Sequence, residues 1–307
     1  MSASERLVAA GEELPVISEP AAMFHDLASK VPKLENFLKK MSHRPLRVAT
    51  MCSGTESPLL ALDKIADATE KLFGSRLNVE HVFSCEIEPF KQAYIERNFS
   101  PPILFRDIRE LKEKQAYTAY GALVDVPGNV DILVAGTSCV DYSNLNNEQK
   151  GLNEQGESGQ TFRGMKAWIM RCKPPVVILE NVCGAPWQQI VDDFASFGYT
   201  ADFLRLDTKR YYIPHTRTRV YLLAVLGDDD EGVLAQWKEV VKQLERPSSS
   251  TLEAFLFDTD DPRVNKGRQD LALPGEKNTR AETDWGRCQS RHIRARVEEK
   301  LGQQRPF

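Results

Sequence analysis

The stretch LRVATMCSGTESPLLALDKIADATEKLF, residues 46–73, decides the fold. It opens with an apolar run from Leu46 to Thr50 and turns at Gly54. It then continues into a pattern that sets Leu59, Leu62, Ile65, Ala66, Leu72 and Phe73 at helical spacings. Working outward, the same alternation recurs. Apolar runs stand at 79–85, 103–105, 130–135 and 176–179, with helical patterns at 89–99 and 162–172 between them. Strand–helix–strand alternation predicts an α/β fold with a mostly parallel, doubly wound sheet. Its strands are short and apolar, as strands covered on both faces are. The last two runs, 201–206 and 220–226, are separated only by DTKRYYIPHTRT, which predicts an antiparallel hairpin at one edge of the sheet.

The flanks read differently. Residues 1–24 lack periodicity and read as an arm, and 26–40 read as one short basic helix. Residues 232–245 form an amphipathic helical pattern, RPSSST reads as a linker, and the chain from 258 is polar. Residues 285–307 carry six Arg or Lys against two Glu. The expected organisation is an N-terminal arm and helix (1–40), a catalytic domain (41–230) and a C-terminal region (231–307).

Composition limits the function. With 41% hydrophobic and 27% charged residues in 307, the chain is neither wholly disordered nor fibrous. A net charge of −4 argues against a broad polyanion binder, so nucleic-acid contact would come from a local patch. No apolar run reaches the roughly 18 residues of a spanning helix. The N-terminus lacks a signal-peptide layout, so a soluble intracellular protein with no membrane partner is expected. The six cysteines form no C-x-x-C pair and the histidines are scattered, which argues against a metal site and a disulfide scaffold.

The chemistry-bearing residues gather at strand ends. Gly54, just beyond the first strand, would let a ligand approach the backbone closely. The dinucleotide fingerprint is incomplete, and Glu56 would repel a pyrophosphate, so an amino-acid-like or zwitterionic ligand fits better. Glu86 ends the second strand, where an acid accepts bonds from ribose hydroxyls. Asp107 follows the third strand, where a carboxylate would accept from an adenine amino group. The plainer reading is a simple β–α turn and two solvated acids. Cys139 follows the fourth strand and Glu180 ends the next, so a nucleophile and an acid–base group would share one cleft. An inert thiol and a helix cap are the alternatives. Arg217 and Arg219, two apart at the start of a strand, would share a face beside the thiol and lower its pKa, or else be simply exposed.

In this order the motifs resemble the cytosine-C5 DNA methyltransferase family over roughly residues 46–226. CSGTES resembles the family's first motif with Ser53–Gly54 intact, and CEIEPFKQAYIERNF its second. RDI is similar to the third, GTSCVDYS to the Pro-Cys-containing fourth, ENV at 180–182 to the sixth, and FGYTADFLRLDTKRYYIPHTRTRVYLL to the seventh and eighth. Ser138 stands for the usual Pro, Val140 for Gln and His215 for Gln. These departures resemble a divergent eukaryotic branch, the fungal maintenance-type enzymes with an appended helicase-like ATPase. No ninth or final motif is found, so the resemblance implies a chain ending inside its target-recognition region.

The resemblance implies a Rossmann-like methyltransferase fold and S-adenosylmethionine as cofactor, held by Ser53, Gly54, Thr55, Glu86, Ile87, Asp107 and Ile108. It further implies Cys139 as nucleophile toward a flipped cytosine in duplex DNA, with Glu180, Arg217 and Arg219 supporting it. Residues 143–164 would close over the base and 287–305 would meet phosphates. Nuclear residence is expected for a eukaryotic DNA substrate, and cytoplasmic residence otherwise. The rival readings are a transfer-RNA cytosine methyltransferase, a non-catalytic cofactor- or DNA-binding scaffold and, more distantly, a dinucleotide-dependent dehydrogenase.

Overall fold

The structure is a computed structural model that describes residues 15–143, 146, 148–250 and 252–271. The chain divides into two units, residues 1–250 and 251–307. In the second, Asp261 caps the helix Pro262–Leu271 by accepting from Arg263 N at 2.8 Å, and the Arg263 guanidinium lies 3.7 Å from the Phe257 ring centroid. The stretch expected to meet phosphates, 287–305, lies outside the described residues.

The first unit is built on a seven-stranded sheet of β1 (Leu46–Met51), β2 (Val79–Cys85), β3 (Leu104–Phe105), β6 (Ile132–Ala135), β7 (Val176–Asn181), β8 (Tyr199–Asp207) and β9 (Thr218–Leu226). The order is β3-β2-β1-β6-β7-β9-β8. The first five strands in that order run parallel, and β9 is antiparallel to both β7 and β8. The parallel sheet with its antiparallel edge hairpin is therefore as the sequence predicts. A two-stranded hairpin, β4 (Gln115–Tyr117) with β5 (Leu123–Asp125), was not expected; its strands are too short to show a period.

Strand order reverses between β1 and β6, so the crevice beyond their carboxyl ends is where an open α/β sheet takes a ligand. The helices cover both faces. Leu38, Leu46, Val48, Ala66 and Leu77 form a small core under α3 (Ser57–Phe73). The large core holds Phe83, Phe105, Phe162, Trp168 and Phe194, with Phe83 edge-on to Phe105 and Trp168 at 5.5 and 5.6 Å.

Two helices depart from the sequence reading. The basic segment 26–40 is not one helix but two, α1 (Pro20–Lys30) and α2 (Leu34–Met41). Pro32 has no N–H to continue the first, and Lys33 turns left-handed at φ 61°. The helix expected from 162 begins earlier, as α5 (Glu157–Cys172). Its N-cap residue, Gly156, has no side chain to cap it. Asp141, distant in sequence, accepts from Ser158 N at 2.7 Å instead. A capping partner outside the local window leaves no local start signal.

Gly164 of α5 lies on the turn that carries Asp107. A Cβ there would stand 2.8 Å from Ile108 O and 3.2 Å from Arg109 Cα, both backbone. Gly164→Ala gains roughly 1 kcal/mol of helix propensity but overpacks by about 1–3 kcal/mol. The clash wins, and the variant is expected to lower the denaturant midpoint at unchanged m-value.

Candidate active site

Three strand tips make the first half of the site. Past β1 the chain turns through two left-handed residues, Cys52 at φ 54° and Gly54 at φ 67°, and Glu56 at φ 56° caps α3 through its carbonyl. The Glu56 side chain does not face the crevice. It is 0% exposed, and its Oε1 accepts from Thr50 Oγ1 at 2.8 Å and Ser84 Oγ at 2.6 Å. The acid read from the sequence as repelling a pyrophosphate is thus an anchor beneath the turn.

Glu86, 4% exposed, ties the turn to the next tip. Its Oε2 accepts from Gly54 N at 3.1 Å, and its Oε1 from Ile87 N and Glu88 N at 2.9 and 3.1 Å. Asp107 is gripped by Arg109, whose Nε lies 2.9 Å from Oδ1 and whose Nη2 lies 2.5 Å from Oδ2. Burial acts to raise its pKa, but the Arg109 bonds outweigh this and hold the carboxyl below its usual range. Ile87 is 53% exposed, Thr55 is exposed, and Ile108 is buried in the large core.

These residues fit a nucleoside carrying an amino-acid tail. Ser53 Oγ is buried with no hydrogen-bond partner, a Cβ on Gly54 would meet nothing within 4 Å, and Ile87 offers an apolar surface beside Glu86. A carboxylate has about four acceptor sites, and three of those on Glu86 are filled by backbone N–H groups. One acceptor site remains, suited to a hydroxyl donor. Burial, and then the Glu86 charge, push the Cys52 thiol up to about 12, which disfavours its thiolate.

The second half leaves the neighbouring strands. Gly136 N donates to Met51 O at 3.0 Å, and a Cβ on Gly136 would stand 3.1 Å from Cys52 O and 3.8 Å from Glu180 Oε2. The loop beyond it carries Cys139, which is partly exposed and not sealed in the interior. Three contacts hold this loop, none of them read from the sequence. Buried Asn181 donates from Nδ2 to Thr137 O at 2.9 Å and to Thr137 Oγ1 at 3.2 Å. Ser138 Oγ donates to Glu157 Oε1 at 2.7 Å. Asp141 N donates to Ser158 Oγ at 3.0 Å, reciprocating the cap on α5. A Cβ on Gly156 would stand 2.3 Å from Asp141 Oδ2, so this seat requires glycine. Residues 157–164, expected in a closing loop, are the first two turns of α5.

Glu180 and Asn181 end β7, and their alternation explains their different tasks. Asn181 is buried toward the thiol loop, while Glu180 points to the hairpin. The register sets Glu180 opposite Tyr221, which brings Arg219 to the same face. Arg219 Nε lies 3.2 Å and Arg217 Nη2 4.0 Å from Glu180 Oε1. The structure thus sets both arginines on Glu180, where the sequence reading put them beside the thiol. Burial raises the Glu180 pKa, and Arg219 and then Arg217 oppose the rise. Among the described residues no cluster of three His, Cys, Asp or Glu side chains suits a metal, and no helix is long and apolar enough to cross a membrane.

Two outcomes follow. Arg219→Ala removes the nearer opposing charge, so the Glu180 midpoint moves to higher pH in NMR titration of the labelled carboxyl. Glu86→Ala leaves three backbone N–H groups without their acceptor and lowers stability by about 1–3 kcal/mol in a denaturant titration.

The model of the C-5 cytosine-specific DNA methylase family matches residues 46–300. The chain is 57% identical over 300 residues to the DNA (cytosine-5-)-methyltransferase DMT5 of Cryptococcus neoformans, covering 96% of this chain and 13% of that protein. It is 31% identical over 327 residues to DMT5 of Verticillium dahliae, covering 85% and 14%. It is 29% identical over 175 residues to the type II methyltransferase M.HaeII of Haemophilus aegyptius, covering 53% and 50%. The chain therefore spans only a small part of the length of its fungal relatives. Matched over residues 46–300, the chain belongs to the C-5 cytosine-specific DNA methylase family.

Proposed function

We propose that this chain is the methyltransferase portion of a larger DNA (cytosine-5-)-methyltransferase. One observation carries the reading: a partly exposed thiol sits on a loop tied by Asn181 to the strand end that presents an arginine-held carboxyl.

The residues divide the work. Cytosine C5 is a poor nucleophile. The Cys139 thiolate adds to C6, forming the S–C6 bond and sending the C5–C6 electron pair toward C5. Glu180 shares its proton with N3 as the ring takes up charge; burial raises its proton affinity and the two arginines limit the rise. A guanidinium carries five N–H donors. Arg219 bonds Glu180 and, through Nη1, Thr218 O, which leaves capacity for the cytosine O2. Arg217, at the hairpin's exposed start, is placed for a phosphate. Ser53, Gly54, Glu86 and Ile87 would hold S-adenosylmethionine, whose sulfonium would supply an electrophilic methyl to C5 and be left as a neutral thioether. Loss of the C5 proton to water then re-forms the C5–C6 double bond and breaks the S–C6 bond, so that the thiolate leaves and the N3 proton returns to Glu180. The base must be out of the stack for this chemistry, so flipping is required.

DNA is the proposed partner, with further regions of a longer chain alongside. A nuclear enzyme is part of the same proposal, resting on the DNA substrate and on the fungal sources of the long relatives.

Labelled methyl transfer to duplex DNA, and not to transfer RNA, is expected. The reverse preference overturns the DNA assignment, and transfer to neither overturns the enzyme. A duplex with 5-fluorocytosine at the target has no C5 proton to lose. It is expected to leave a stable protein–DNA conjugate with wild type and none with Cys139→Ser. A conjugate that survives the substitution removes Cys139 from its role.

A further inference from the structure

The hairpin loop 208–217, which delivers Arg217 and Arg219 to Glu180, is held at its far end by chain segments remote in sequence. Tyr212 is the centre. It is 1% exposed, and it adopts φ 67°, a left-handed conformation that a bulky side chain avoids unless its surroundings impose it. Its hydroxyl donates to Asp26 Oδ2 on α1. Its N–H donates to Arg246 O at 2.8 Å, beyond α7 (Val233–Gln243).

Arg246 completes the buckle. Its guanidinium lies 5.2 Å from the Tyr212 ring centroid, and its Nε lies 3.8 Å from Asp26 Oδ2. Its Nη2 donates to Pro15 O at 2.7 Å and its Nη1 to Ser249 Oγ at 3.1 Å. Arg246 N also donates to Arg210 O at 2.8 Å. A buried arginine with this many partners fixes three segments at once: 15–26, 210–212 and 246–249.

The buckle reaches the arginines through short turns. Ile213 N donates to Tyr211 O and His215 N to Ile213 O, both at 2.8 Å, and Thr208 Oγ1 donates to His215 O at 2.5 Å. Asp207 Oδ1 accepts from Lys209 N at 3.1 Å and Arg217 N at 3.2 Å. Successive hydrogen bonds thus link Tyr212 to Arg217 along the loop, which is the route by which the buckle can set the arginines.

We propose that Asp26, Tyr212 and Arg246 are positioning residues for the reaction, setting Arg217 and Arg219 against Glu180 through the 208–217 loop. The proposal rests on the methyltransferase reading. It makes the segments on either side of the sheet parts of the catalytic apparatus and not mere flanks.

The test uses Tyr212→Phe and Asp26→Asn in the full chain. Tyr212→Phe keeps the ring under Arg246 and removes one hydroxyl. The groups that face Glu180 are Arg219 and Tyr221 from β9 and Arg217 from the loop. If the arginines drift, burial is less opposed and the Glu180 midpoint rises.

The expected result is a kcat lowered roughly 10- to 100-fold, the cost of about an ångström of misplacement, with the Glu180 carboxyl midpoint at higher pH. Cofactor affinity, set at the distant tips of β1 to β3, stays at its wild-type value. Wild-type kcat and midpoint in both variants overturn the proposal. So does a joint fall of kcat, cofactor affinity and unfolding midpoint with the Glu180 titration in place, which marks a merely structural role. Should wild type transfer no methyl group at all, the functional reading fails, and the carboxyl titration, which needs no turnover, still decides the positioning role.

Discussion

The site depends on the meeting of two strand ends. Where β1 and β6 lie side by side, Gly136 N bonds Met51 O, and the Gly136 backbone passes so close to Cys52 O that a methyl group there would stand at 3.1 Å. One chain then leads to the turn with Gly54 and the other to the loop with Cys139. Because the strand order reverses here, nothing from the sheet lies over the gap. A side chain at 136 would force the Cys52 carbonyl to give by a few tenths of an ångström, at the junction between the Gly54 turn and the Cys139 loop.

Around that junction, buried acids do most of the holding. Glu56 receives two hydroxyls under the turn, Glu86 receives three backbone N–H groups between the first two tips, and Asp141 receives Ser158 N at the start of α5. Glu86 is offset by donors on both oxygens, as burial of a charge requires, whereas Glu56 takes both of its donors on Oε1 and keeps a buried Oε2 without a partner. Glu180 is built differently. Its partners are two guanidiniums at 3.2 and 4.0 Å on a separate hairpin, and its pKa is raised. A carboxyl whose proton affinity is held up by burial and down by two nearby guanidiniums suits proton exchange with a base.

Much of the sheet was legible in the sequence because its signals are local. The helices 57–73 and 89–99 follow from apolar spacing, and the hairpin from the short link between its strands. Gly54, Glu86, Asp107, Cys139 and Glu180 stand at strand ends, which periodicity locates. What sequence did not show is made by distant pairs. Asp141 starts α5 from outside the helix, Asn181 steadies the thiol loop across two strands, and Tyr212 meets Asp26 from the far side of the sheet in sequence. The split of the N-terminal helix did have a local signal, Pro32, which the basic amphipathic pattern masked. Glu56 shows the opposite failure: its position was read correctly but its direction was not, since a left-handed φ turns it inward.

The contact between Ser138 and Glu157 gives the thiol loop an unusual kind of restraint. A proline would hold the backbone before Cys139 through a covalent ring, which no solvent can loosen. An exposed hydroxyl–carboxylate bond is worth at most about 1.5–3 kcal/mol net and can be traded for water. Of the three contacts that hold the loop, this one lies toward solvent, so water can replace it while the buried bonds of Asn181 and Asp141 stay in place.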